Sequence, residues 1–166
     1  MKNTAIMIVL ALDLLLATAV FAADTPSLRV GDPLPSRTFR SLAGQPMTIP
    51  DDVNGKVMVI HFWTDWCGSC NVVMPAYDKL YGLYRQKGLL IVAVNVGQTK
   101  KQVKTFVDKI KITYPVLLDE EKESARVYSV IGLPRTYIVD RKGIVRYKLI
   151  GEVPEETIQK FLLDLL

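Results

Sequence analysis

At 166 residues, 49% of them hydrophobic and 23% charged, the chain suits one ordinary globular domain with a short appendage, and disordered, fibrous and coiled-coil classes are excluded. Net charge is +4 with lysines and arginines scattered rather than massed, which argues for solubility and against nucleic-acid binding. The densest basic cluster, Lys100, Lys101 and Lys104, falls on the exposed side of a predicted helix and supports no more than a modest attraction to anionic partners or membrane surfaces. The chain opens with a short positive start, Met1-Lys2-Asn3, and an apolar run from Ala5 to Ala23 broken by Asp13 and Thr18. Small residues around Val20-Phe21-Ala22 fit a secretory signal cleaved after Ala22, with residues 1–22 removed. An uncleaved membrane anchor over residues 5–23 is the rival expectation, since that length just crosses a bilayer. Either way, the bulk of the chain is expected in the periplasm or another extracytoplasmic space. No cysteine follows the apolar run, so a lipoprotein anchor is not supported. Residues 23–37, with Pro26, Pro33 and Pro35, read as a linker, and residues 38–166 as the domain.

Thr38 to Leu42 and Met47 to Ile49 flank Ala43-Gly44-Gln45-Pro46 and predict a small hairpin. Lys56 to Trp63 is apolar on both faces, the pattern of a central strand covered on both sides. A helix follows from Asn71 to Gln86, stopped by Gly88, with a kink expected at Pro75. Leu89 to Val96 is a second buried strand, and Lys100 to Ile110 a helix with Val103, Phe106, Val107 and Ile110 on one stripe. Val116 to Leu118 is a short strand and Glu120 to Tyr128 a short helix. Strands Arg135 to Asp140 and Ile144 to Ile150 meet at the turn Asp140-Arg141-Lys142-Gly143. Pro154 opens the last helix, which reaches Leu166. Alternation of strands and helices predicts a three-layer α/β domain with a parallel-rich sheet and an antiparallel closing edge.

Residues 61–71, HFWTDWCGSCN, hold both cysteines, the single histidine and both tryptophans. A bridge between Cys67 and Cys70 closes a tiny loop and removes little chain entropy, so the pair suits a reversible redox couple better than a staple. The first cysteine falls at a strand-to-helix turn, beside a helix N-terminus whose free N–H groups and dipole favour an anion. Cys67 is therefore the expected nucleophile, with an acidified thiol, and Cys70, one turn on and more buried, the resolving thiol. Haem attachment needs a histidine where Asn71 stands. A closed zinc site needs four ligands, and the chain offers two cysteines and one histidine, so no metal site is expected. Two rivals stay open: copper held by soft ligands, and a thiol peroxidase. Thr64 completes the peroxidase pattern Thr-x-x-Cys, although Ile60 stands where such enzymes carry a proline. Trp63 is expected in the core and Trp66 as an exposed docking platform.

Trp66-Cys67-Gly68-Ser69-Cys70 after an apolar strand resembles the thioredoxin superfamily. Val30-Gly31-Asp32-Pro33 before a hairpin, Ile91 to Val96, and the stretch Val130 to Asp140 around Gly132-Leu133-Pro134-Arg135-Thr136 are similar to its TlpA/ResA branch. The resemblance spans residues 28–165 and implies a thioredoxin-like fold, a mixed central sheet flanked by helices with an N-terminal β-hairpin extension. It implies a thiol–disulfide oxidoreductase outside the cytoplasmic membrane that reduces disulfides, often in apocytochrome c or copper-site assembly. No bound cofactor is implied, only the Cys67–Cys70 couple, with electrons from an upstream dithiol protein, soluble or membrane-embedded, and a monomeric state. It further implies a cis bond before Pro134, which aims the Leu133 backbone at an extended peptide. Trp66, Gly68, Ser69, Leu133, Pro134 and Arg135 are thus the expected docking residues. A peptide-docking module on the same fold is the non-enzymatic alternative.

Departures from that branch carry expectations of their own. Ser69 replaces the common proline of the loop, and Val73 stands where cytochrome-maturation members often carry glutamate. Arg135 replaces a threonine; its cation favours a Cys67 thiolate if it points that way, and otherwise meets solvent. His61, six residues before Cys67, stands where thioredoxin has a buried aspartate and this branch often has asparagine. A proton relay to Cys70 near neutral pH is one expectation for it, and a buried neutral imidazole held by backbone groups is the other.

Overall fold

The computed structural model describes residues 27–166, so the expected signal or anchor over 1–22 and the first linker residues lie outside the described part. Strand β3 (Val57–Trp63) is buried at every position. It takes β4 (Leu89–Val96) as a parallel neighbour on one side and β6 (Arg135–Val139) as an antiparallel neighbour on the other. The remaining strands are β1 (Arg37–Ser41), β2 (Pro46–Ile49), β5 (Val116–Asp119) and β7 (Val145–Ile150). Their order across the seven-stranded sheet is β2-β1-β5-β4-β3-β6-β7. Only β3–β4 and β4–β5 are parallel pairs, so the sheet is mixed rather than parallel-rich. The hairpin β1–β2 joins antiparallel onto β5, and β7 returns antiparallel onto β6, which makes both margins of the sheet antiparallel.

Helices α1 (Cys70–Tyr84), α2 (Lys100–Ile110) and α4 (Glu155–Leu163) pack on one sheet face. Met74, Tyr77 and Leu80 of α1, Val103 of α2, and Ile158 and Leu162 of α4 meet Val59, Trp63, Ile91 and Ile138 there. The opposite face is covered by the short helix α3 (Glu123–Val127) with Tyr128 after it and by the segment before β1. That segment corrects the expected linker. Leu28 and Leu34 are buried in the second core, and the N–H groups of Gly31 and Leu34 donate to Val145 and Gly143 carbonyls at 2.8 Å. The domain thus closes from Leu28 onward.

Helix ends follow their local chemistry. Thr99 and Gln102 form a reciprocal capping box, so α2 begins where the pattern predicted. Helix α3 is shorter than predicted because Lys122 adopts a left-handed φ of 59°, while Asp119 accepts from the Ser124 and Ala125 N–H groups at 3.0 and 2.8 Å. Helix α1 runs through Pro75 without ending. Among the described residues, no helix is long and apolar enough to cross a membrane.

Candidate active site

The chain leaves the sheet at Trp63, turns through Thr64 to Ser69 and enters α1 at Cys70. Cys67 and Cys70 are joined as a disulfide with Cα atoms 5.4 Å apart. Cys70 is fully buried and Cys67 is 7% exposed in this oxidised form. The Cys70 N–H donates to the Cys67 carbonyl at 3.0 Å, which holds the two sulfurs on one turn. No acidic side chain stands in the first turn of α1, so nothing there opposes an anion at the helix N-terminus. The Ser69 hydroxyl lies 3.7 Å from Cys67 Sγ, placed to donate to a thiolate.

Around the disulfide, Trp66 is 73% exposed and Gly68 is exposed, while Ser69 is half-buried. The Leu133–Pro134 peptide bond is cis. Because Phe62 pairs with Arg135 in antiparallel register, Pro134 comes alongside Trp63, where the cysteine loop departs. The Pro134 carbonyl accepts from Gly151 N–H at 3.0 Å, while the main chain of half-buried Leu133 has no main-chain partner among the described residues. Ile131, two residues earlier, is 95% exposed.

Arg135 takes neither of its two expected directions. It is 3% exposed, and it shares a sheet face with Phe62 and Tyr137, opposite the face that packs against α1 and the cysteines. Strand alternation decides this: Thr136, the next residue, is the one that faces α1.

His61 is fully buried, paired in register with Thr136. Its Nδ1 lies 2.9 Å from Thr136 Oγ1, and the Tyr77 hydroxyl of α1 lies 3.2 Å from the same oxygen. The imidazole also meets the Tyr77 ring edge-on, 5.1 Å between centroids. Burial pulls the His61 pKa from 6.5 to about 3, and pushes Tyr77 up to about 12. The cluster is therefore neutral throughout the physiological range. The imidazole is held by a side-chain hydroxyl rather than by backbone groups, and an imidazolium is not populated near neutral pH. Its Nε2 has no partner among the described residues.

One pair of contributors was not read from the sequence. Gln98 Oε1 accepts from the Asp65 N–H at 2.9 Å and from Asn95 Nδ2 at 2.8 Å, pinning the redox loop to the end of β4. Both amide side chains are buried. A strand-end Asn followed three residues later by Gln was the available hint, but nothing in it points to a loop more than thirty residues upstream. Thr64, the residue of the peroxidase pattern, is buried, and its hydroxyl has no partner among the described residues. Among the described residues, no three His, Cys, Asp or Glu side chains stand together as a metal site.

Comparison with known proteins agrees with this geometry. The AhpC/TSA family model matches residues 30–148. The thiol-disulfide oxidoreductase ResA of Geobacillus kaustophilus is 32% identical over 162 residues, covering 96% of this chain and 92% of that protein. The thioredoxin-like protein YneN of Bacillus subtilis is 33% identical over 138 residues, covering 81% of this chain and 79% of its own length. Among solved structures, a Chlorobium tepidum protein assigned as thiol:disulfide interchange protein DsbE superposes with a TM-score of 0.79 at 28% identity, covering 84% of this chain and 99% of its own. A Cys-x-x-Cys disulfide at the mouth of α1, on this mixed sheet and with these relatives, is the signature of one chemistry: the chain belongs to the AhpC/TSA family and is a ResA-like thiol–disulfide oxidoreductase of the thioredoxin fold.

Proposed function

We propose that the chain works outside the cytoplasm and reduces disulfides of exported proteins, with Cys67 as the attacking thiol and Cys70 as the resolving one. The observation that carries this reading is the Cys67–Cys70 bridge at the N-terminus of α1, beside an unpaired main-chain edge at Leu133. In the reduced protein, the Cys67 thiolate attacks one sulfur of a partner disulfide. That S–S bond breaks, the partner's other sulfur leaves as a thiolate and takes up a proton, and Cys67 is held in a mixed disulfide. Cys70 then loses its proton and attacks Cys67 Sγ, which expels the second partner thiol and closes Cys67–Cys70. Two electrons pass to the partner, and an upstream dithiol protein returns them.

The partner lies as an extended segment against Leu133 and Pro134, with Trp66, Gly68 and Ser69 around the sulfur. Apocytochrome c and copper-site assembly proteins are the partner classes that the resemblance to the TlpA/ResA branch implies; Val73, in place of a carboxylate, favours no choice between them. His61 stays a neutral imidazole bonded to Thr136, and no proton step is routed through it, because a proton leaving Nδ1 meets only the Thr136 and Tyr77 hydroxyls. Copper carriage would rest on the two thiols alone, and peroxide reduction lacks the proline that such enzymes carry where Ile60 stands.

The test is Cys70→Ser expressed with its own leader in the native compartment. A partner covalently trapped through Cys67, released by reductant and absent from Cys67→Ser/Cys70→Ser, is the expected result. No trapped partner, together with tight stoichiometric copper binding by the wild-type thiols, would replace this reading with a carrier.

A further inference from the structure

Beside the disulfide loop, a groove of about 590 Å³ opens between that loop and α2. Asp65 and Asn71, which bracket the two cysteines in the chain, form one wall, and Lys101, Thr105 and Lys109 form the other. Phe106 lines the floor, its ring 4.7 Å from that of Trp63. The cations here are not alike. Lys104, one turn along from Lys101, is held by Asp108 at 2.7 Å, whereas Lys101 and Lys109 are exposed and make no ion pair among the described residues. Asp65 is the one carboxylate of the lining, so the groove carries a surplus of positive charge within reach of the reacting sulfurs. Trp66 and Val72, next in the chain to Asp65 and Asn71, are both exposed.

We propose that this groove selects partners by binding an acidic segment that flanks the partner's disulfide. The proposal rests on the reading of Cys67 as the attacking thiol and names the class of polypeptide that thiol prefers. Charge complementarity decides the occupant. An acidic side chain entering between Lys101 and Lys109 gains two unpaired cations and meets one carboxylate, while a basic segment meets the reverse. Such exposed pairs act mainly on encounter and orientation, so the preference is one of rate and is sensitive to salt.

The experiment uses the full-length reduced protein and four disulfides. Three are disulfide-linked homodimers of an octapeptide with one cysteine flanked by two Glu, two Gln or two Lys. The fourth is bis(2-hydroxyethyl) disulfide. Each second-order rate is divided by the rate with dithiothreitol, which removes the intrinsic reactivity of the peptide. In about 20 mM salt the Glu peptide is expected to react about tenfold faster than the Lys peptide, and the gap to close in about 500 mM salt. Lys101→Glu/Lys109→Glu should reverse the order and leave the rate with bis(2-hydroxyethyl) disulfide unchanged. Lys56→Glu/Lys142→Glu makes the same change in net charge on exposed positions away from the groove and should leave the order intact. Equal rates for the Glu and Lys peptides overturn the proposal, as does a distal double variant that shifts the preference as far as the groove variant. A wild-type protein that reacts with none of the four disulfides overturns the oxidoreductase reading itself, and this proposal with it.

Discussion

Ser69 shows how a single residue can set the reactivity of the pair. Its hydroxyl, 3.7 Å from Cys67 Sγ, can donate to a thiolate but gains little from a neutral thiol, so it favours ionisation. Ser69→Ala should raise the Cys67 thiol pKa by about one unit, equivalent to about 1.4 kcal/mol. The pH dependence of iodoacetamide alkylation of the reduced protein reads this directly, and an unchanged titration would place the hydroxyl elsewhere. His61 acts in the other direction, on stability. Its folded pKa of about 3 lies below the ordinary 6.5, so the unfolded chain protonates first as pH falls. Above pH 6.5 both states are neutral and the group adds no pH dependence; between 6.5 and 3 stability is lost by up to about 1.4 kcal/mol per pH unit. Urea melts at pH 7 and at about pH 4.5 should show wild type losing about 2–3 kcal/mol more than His61→Asn across that interval. Equal losses would mean that water reaches the ring. At this scale residue identity was legible in the sequence and direction was not. The destination of Arg135 follows from its pairing with Phe62 and the alternation along β6, a register that composition does not give.

At the level of elements, the redox loop depends on β4 as much as on β3 and α1. Gln98 offers one oxygen to two donors, the Asp65 N–H in a partly buried bond and Asn95 Nδ2 in a buried one. Gln98→Leu fills the space but strands both donors, so it should cost about 2–4 kcal/mol of stability. It should also slow attack on bis(2-hydroxyethyl) disulfide, because a loop freed at Asp65 no longer fixes Cys67 at the helix mouth. Normal exchange kinetics in a destabilised variant would limit the amide to a structural role. Elements with strong local signals stood clear in the sequence. The unbroken apolar runs gave β3 and β4, and the stripe of Val103, Phe106, Val107 and Ile110 gave α2. Elements governed by a single unusual dihedral did not: a left-handed Lys122 trims α3. Nor did contacts between distant polar groups, of which Gln98 and the loop are one case.

Across the whole molecule, the question is whether the fold prefers its sulfurs joined or parted. The mixed sheet holds the sulfur loop from three sides, through β3, the end of β4, and the β6 margin at Pro134. The β7 margin and the segment anchored by buried Leu28 and Leu34 close the far face, so the scaffold does not depend on the disulfide. Its contribution is then small. A bridge with a sequence separation of 3 removes only about 2 kcal/mol of unfolded-chain entropy. Against this stand the features that stabilise the reduced form, namely the helix N-terminus and the Ser69 hydroxyl facing a thiolate. The difference in folding free energy between the two redox states equals the difference in ease of reduction between folded and unfolded chain. A protein that delivers electrons should hold its disulfide more stubbornly when folded, so the oxidised form should be the more stable one, by no more than about 2 kcal/mol. Parallel denaturant melts of the oxidised and reduced protein measure this gap. If the reduced form melts later, thiolate stabilisation has outweighed chain entropy, the folded disulfide is an oxidant, and electrons flow from partner to chain instead.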